Sequence, residues 1–211
     1  MRTLIFAAMG VLAAGCFGGL KNDVQAPNIY RIDSPSLEAG PTLPADLSVV
    51  VERTAPGLDV DRIAGRWPGR RLDYLAGARW ADGLPLLLQS ALVESFQDSG
   101  RLRSVQGDVG RFRSTHALVI EVRRFEADYT AGVVPLAQVE LAATVGRLSD
   151  ARVLASFTVQ ASEAAPENRQ TAVVGALEAA FAKAAGEMAL KSLAAIETDA
   201  AKAPAVSASQ P

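Results

Sequence analysis

The sequence predicts an α+β fold: a mostly antiparallel β-sheet with two helices packed on one face. Three observations lead there. Apolar residues recur at a spacing of two in several segments, the period of a strand with one buried face. Two stretches repeat at helical spacing instead. The segments come in the order strand, hairpin, helix, strands, helix, and laying both helices on one side of a sheet buries all their apolar stripes together. With 211 residues the chain suits one good-sized domain rather than two large ones.

The elements follow in chain order. Leu47, Val49 and Val51 stand two apart, as on one face of a first strand. Residues 62–74 read as a hairpin, because Trp67-Pro68-Gly69-Arg70 holds a Pro-Gly turn signal between two short stretches. Leu84, Leu87, Leu88, Ala91, Leu92, Ser95 and Phe96 form a helical stripe. Asp82 can cap that helix, Pro85 is tolerated in its first turn, and Ser99-Gly100 can end it. A short strand is expected over residues 102–106. Three alternating strands follow, around Leu118-Ile120-Val122, Val139-Leu141-Ala143-Val145 and Val153-Ala155-Phe157-Val159, with residues 148–152 joining the last two as a hairpin. An Ala-rich terminal helix is expected over residues 167–197, behind Pro166, with Val174, Leu177, Phe181, Ala184, Met188 and Ser192 on one side. Around this domain, residues 29–197, lie a tether (16–28) and a polar, Ala-rich tail (198–211) expected to be disordered.

Composition excludes several functions. The formal net charge is -2, with basic residues spread along the chain, unlike the strongly basic balance of a nucleic-acid binder. One Cys and one His cannot build a multi-ligand zinc site, an iron–sulfur cluster or a disulfide framework. His116 begins a strand, and no Gly-x-Ser-x-Gly elbow supplies a nucleophile for it. Gly100, Gly107 and Gly110 fit no phosphate-binding pattern, and Asp59, Asp61 and Asp73 fit no calcium loop. The expectation is therefore no catalytic residue, no metal and no enzymatic activity.

One surface stands out as a candidate for binding. Arg62, Arg66, Arg70, Arg71 and Arg79 interleave with Trp67, Tyr74 and Trp80 in and after the hairpin. Trp and Arg are enriched at interface centres, so Trp67, Arg70, Arg71, Tyr74, Arg79 and Trp80 are the expected partner-binding residues. The alternative is an amphipathic hairpin that covers a helix, its arginines merely solvated.

The amino terminus carries an address. Met1-Arg2 precedes about a dozen apolar residues ending in small ones, the order of a secretory signal and too short to span a bilayer. Leu12-Ala13-Ala14-Gly15-Cys16 resembles the lipobox of bacterial lipoproteins, with Ala13 where the usual Leu stands. The resemblance implies cleavage after residue 15 and an N-acyl diacylglycerol modification of Cys16. Two or more acyl chains make such attachment stable. Phe17, in place of the Asp that resembles an inner-membrane retention signal, implies the periplasmic face of the outer membrane.

The mature chain as a whole resembles the ABC-type transport auxiliary lipoproteins. The matching pieces, in order, are Ile29-Tyr30-Arg31-Ile32, the strand over residues 47–51, Leu72-Asp73-Tyr74 leading to Ala78-Arg79-Trp80-Ala81, Leu84-Pro85-Leu86-Leu87-Leu88-Gln89, Gly100, the strand over residues 118–125 and the Ala-rich last helix. A Trp that family members often carry near the end of that helix is absent. The resemblance implies a non-enzymatic partner of a transport machine that moves phospholipid or similarly apolar cargo. Its ATPase and permease would lie at the inner membrane. An Mce-type periplasmic protein would dock on the lipoprotein, itself arranged as a ring of identical subunits. The competing expectation is a carrier with an apolar pocket between helices and sheet, suggested by the small residues of the last helix.

Overall fold

The computed structural model describes residues 26–107 and 113–202. The signal segment, Cys16 and the tail beyond Lys202 lie outside the described residues. The elements are β1 (Asn28–Tyr30), β2 (Leu43–Thr54), β3 (Arg62–Trp67), β4 (Arg71–Trp80), α1 (Leu84–Asp98), β5 (Leu102–Gln106), β6 (His116–Asp128), β7 (Leu136–Arg147), β8 (Arg152–Ala164) and α2 (Gln170–Lys202).

Two helices and one sheet make the architecture α+β, but the sheet is mixed rather than mostly antiparallel. Four of the seven pairings among the described residues are parallel: β1–β4, β2–β5, β2–β6 and β3–β6. The antiparallel ones are the β3–β4 hairpin and the β6–β7–β8 meander. Period-two alternation fixes which face of a strand is buried and says nothing about strand direction. Direction comes from the connections, and α1 carries the chain back so that β5 lies parallel to β2.

Strand β6 is the hub. Its first half pairs with β2, from His116 opposite Leu47 to Val122 opposite Thr54. Its last residues pair with β3, Ala64 opposite Glu126 and Arg66 opposite Asp128. That change of partner brings the β3–β4 hairpin beside the end of β6.

Alternate residues of the central strands (Leu47, Val49, Leu118, Ile120, Leu141, Val145) are buried and share one core cluster with both helices. The residues between them, such as Glu121, Arg123, Thr158 and Gln160, stay exposed on the other face. Trp80 meets Phe125 edge-on with centroids 5.9 Å apart, and Phe125 meets Phe181 of α2 at 6.0 Å. The small residues Ala180, Ala184 and Ala185 are fully buried, so α2 lies close against the sheet.

Several boundaries differ from the sequence reading, among them the start of the last helix at Gln170 rather than residue 167 and the end of the hairpin at Trp80 rather than residue 74. Asn28 belongs to β1, paired with Ala78 of β4, rather than to the tether. Gly83, not Asp82, occupies the cap of α1, and Asp82 Oδ1 accepts the Gly83 N–H. The last helix continues to Lys202, so residues 198–202 are ordered helix rather than tail. Asp199 explains that extension: it is buried and bonded to His116 and Arg147, which fixes the final turn.

Candidate functional site

The hairpin turn is built from Pro68, Gly69 and Arg70, between the paired residues Trp67 and Arg71. Gly69 has φ 78° and Arg70 φ 63°. Arg70 therefore holds a left-handed backbone that costs a non-glycine residue about 1 kcal/mol or more, and its side chain is exposed at the tip.

The six residues expected at a binding face separate into two groups. Trp80 is 2% exposed and belongs to the core, so it offers no surface to a partner. Arg79 is paired with Asp61 at 2.9 Å. Tyr74 is half-buried: its hydroxyl donates to the Gly57 carbonyl at 3.1 Å, and the Arg62 guanidinium lies 3.9 Å from its ring centroid. These three fasten the hairpin to the body. Trp67, Arg70 and Arg71 remain at the tip. No acid lies within ion-pair distance of Arg70 or Arg71 among the described residues.

Trp67 is held from three sides. It lies across Gly65, where a Cβ would run into the indole. It stacks on Tyr129 with centroids 4.9 Å apart and planes 7° from parallel. The Arg71 guanidinium lies 5.6 Å from its centroid. Tyr129 is itself fixed, its N–H donating to the Arg66 carbonyl at 2.8 Å and its hydroxyl to Asn168 Oδ1 at 3.1 Å. Burial pushes its phenol pKa up, so the ring stays neutral.

Tyr129 opens the β6–β7 connection, which also carries Val133 and Val134, 76% and 50% exposed. Together with the start of α2 these residues border an open groove of about 550 Å³ lined by Trp67, Tyr74, Leu75, Tyr129, Val133 and Gln170, among others. Tyr129, Val133 and Val134 are not apparent from the sequence because they lie over 60 positions from Trp67. The available signal was an adjacent valine pair between Gly132 and Pro135, apolar residues in a segment that reads as a turn.

Below the tip, the open sheet face carries a charged patch. Asp128 accepts from Thr130 N and Oγ1, and Arg66 lies 3.5 Å away. Burial pushes its pKa up, but the Thr130 hydrogen bonds with Arg66 and Arg124 outweigh this and the net shift is downward. Glu126 is buried without comparable donors, and desolvation raises its pKa despite Arg124 and Arg66.

At the opposite end of α2, His116 is buried in a chain of polar contacts. Its Nδ1 is 2.9 Å from Thr115 Oγ1 and its Nε2 3.3 Å from Asp199 Oδ2. Arg147 bridges Asp199 and Asp150 at 2.9 and 2.8 Å. The Thr115 hydroxyl is engaged by the backbone of Asp46, at 2.9 Å to its N and 3.1 Å to its carbonyl oxygen. These contacts tie the helix end to β2, β6 and β7. Of the three aspartates weighed as metal ligands, Asp61 pairs with Arg79 and Asp73 Oδ1 accepts the Tyr74 N–H.

A family model of the ABC-type transport auxiliary lipoprotein component matches residues 33–189. The chain belongs to this family. The match spans β2 to β8 and most of α2. The chain is similar in structure to protein XCC0632 from Xanthomonas campestris, with a TM-score of 0.74 and 30% identity, over 82% of this chain and 99% of that one. The hypothetical protein CT253 from Chlamydia trachomatis shares the fold at a TM-score of 0.52 and 6% identity, over 73% of this chain and 98% of that one. Among curated proteins, an uncharacterized protein of Bradyrhizobium diazoefficiens is 30% identical over 168 residues. The aligned part is 79% of this chain and 42% of that relative, so the chain spans under half of its length.

Proposed function

We propose that this lipoprotein is a non-enzymatic auxiliary subunit of an Mce-type ABC transport system. It is held at the periplasmic face of the outer membrane by an N-acyl diacylglycerol on Cys16. There it docks the periplasm-spanning assembly that moves lipid or other apolar molecules, as a ring of identical copies. The observation that carries the reading is the family match over residues 33–189, which follows a lipobox-like segment ending in the chain's single cysteine. No helix among the described residues is long and apolar enough to cross a membrane. The groove beside Trp67 favours the second reading, a carrier of an apolar ligand, because it lies between the hairpin and α2.

Membrane fractionation and affinity purification test both readings. The native chain should fractionate with outer membranes, carry acyl groups on Cys16 and co-purify with an Mce-type protein. A Cys16→Ser chain that still fractionates with the outer membrane counts against the anchor. A monomer that elutes with bound lipid and without a protein partner turns the assignment to the carrier.

A further inference from the structure

The place where the mature chain joins its fold has a consequence for the hairpin tip. Asn28 begins β1, and its side-chain N–H donates to Gln170 Oε1 at 2.8 Å. Gln170 Nε2 in turn donates to the Ala76 carbonyl at 2.7 Å. Gln170 and Ala76 line the same groove as Trp67, Tyr129 and Val133. The tether from Cys16 thus arrives beside the stacked aromatic pair. Twelve residue steps separate Cys16 from Asn28, a reach of at most about 40 Å fully extended and about 20 Å for a relaxed chain. Whatever surface holds Cys16 is therefore held near this end of the molecule.

We infer that the tip formed by Trp67, Tyr129, Val133, Val134, Arg70 and Arg71 rests in the headgroup layer of the membrane that holds Cys16, orienting the domain on the bilayer. The inference rests on the lipid anchor of the proposed function and gives the exposed part of the hairpin its partner. The chemistry suits a phospholipid interface. Two valines lie in the β6–β7 connection, 76% and 50% exposed, and Val133 lines the groove beside the aromatic pair. Behind them stand a Trp and a Tyr, the side chains that settle at headgroup depth because one end is apolar and the other polar. Arg70 and Arg71, with no carboxylate partner among the described residues, are free for lipid phosphates. The tip inserts shallowly: Trp67 keeps its stack on Tyr129, and the valines enter first. The other end of α2 then points away from the bilayer.

Tryptophan quenching tests the placement. The full chain, lipidated by its native host, is reconstituted into vesicles of phosphatidylethanolamine and phosphatidylglycerol, with either plain or brominated acyl chains. Trp67 and Trp80 are the chain's two tryptophans, and Trp80 in the core serves as the unquenched internal reference. Brominated lipid should quench the Trp67 share of the emission, and Trp67→Phe should abolish the effect. Val133→Asp with Val134→Asp, at exposed positions that leave the fold intact, should cut the quenching at least about twofold. Arg70→Gln with Arg71→Gln should lower it in these vesicles and not in phosphatidylcholine. Equal emission from plain and brominated vesicles, with mass spectrometry showing acylated Cys16, overturns the placement and leaves the anchor standing. An unmodified thiol overturns both. Unquenched Trp67 together with an oligomer in detergent that the Val133→Asp, Val134→Asp chain cannot form assigns the tip to a second copy instead.

Discussion

The two ends of α2 are built on opposite rules. Near its carboxyl end, Asp199, His116, Arg147 and Asp150 satisfy one another in a mostly buried chain, and Asp150 with Asp199 holds the Arg147 guanidinium firmly charged. Near its amino end, Trp67 and Tyr129 stack at the rim of an open groove while two arginines and two valines face solvent. One end uses its polar groups to fix the fold. The other leaves Arg70 and Arg71 without a carboxylate among the described residues and two valines half or more exposed. Unspent groups of that kind mark a surface held for something outside the molecule, and the tether joins the fold on that side.

The comparison can be broken by substitutions whose effects should fall off from core to tip. The largest loss is expected for Phe181→Ala, which empties a fully buried site between Phe125 and α2. It should cost about 3–5 kcal/mol in chemical denaturation. Asp199→Ala comes next, at about 1–3 kcal/mol, because it strips the buried His116 and the bridging Arg147 of a partner. It should also speed amide exchange in the last turn of α2 before any other helix. A loss at Asp199 no greater than at an exposed residue would dissolve the contrast between the two ends.

Glu126→Gln should act in the other direction and more weakly. Desolvation raises the folded-state pKa of Glu126 above the ordinary glutamate value of 4.5. The native state therefore binds more protons, so this group's contribution is fully present below pH 4.5 and is lost as pH rises through the folded value. Glu126→Gln should raise the melting temperature at pH 7 and make no difference at pH values well below 4.5. A gain that persists in acid would assign the effect to something other than ionisation. The smallest change is expected for Val133→Ser at the tip: within about 0.5 kcal/mol of the parent in denaturation, since its side chain is mostly solvated. A large loss there would make the tip structural and remove the reason to look for its partner.

Much of the fold was legible along the chain. The alternation through β6, β7 and β8, the Pro68-Gly69 turn and the stripe of α1 each depend on neighbours within a few residues, and local period decides them. The Ala-rich helix was legible too, although its last turn was not. Asp199 is a polar residue in a polar stretch until His116, 83 positions earlier, is placed beside it. The site was less legible for a similar reason. Trp67 and Trp80 look alike on paper, both aromatic and both flanked by arginine. Yet Trp80 turns into the Phe125–Phe181 cluster while Trp67 lies on Gly65 at the rim.

By itself the sequence determined the class of the fold, the order of its elements from β2 to α2, the absence of material for a metal cluster and the position of the single cysteine that an anchor needs. Those properties reside in composition and in short-range period. Only the tertiary structure decided that most strand pairings run parallel, that the hairpin lies beside the end of β6, and that Asn28 and Trp67 border one groove. These are contacts between residues tens of positions apart. They are chosen by which connections close and which faces bury together, and no local window of the chain contains that information.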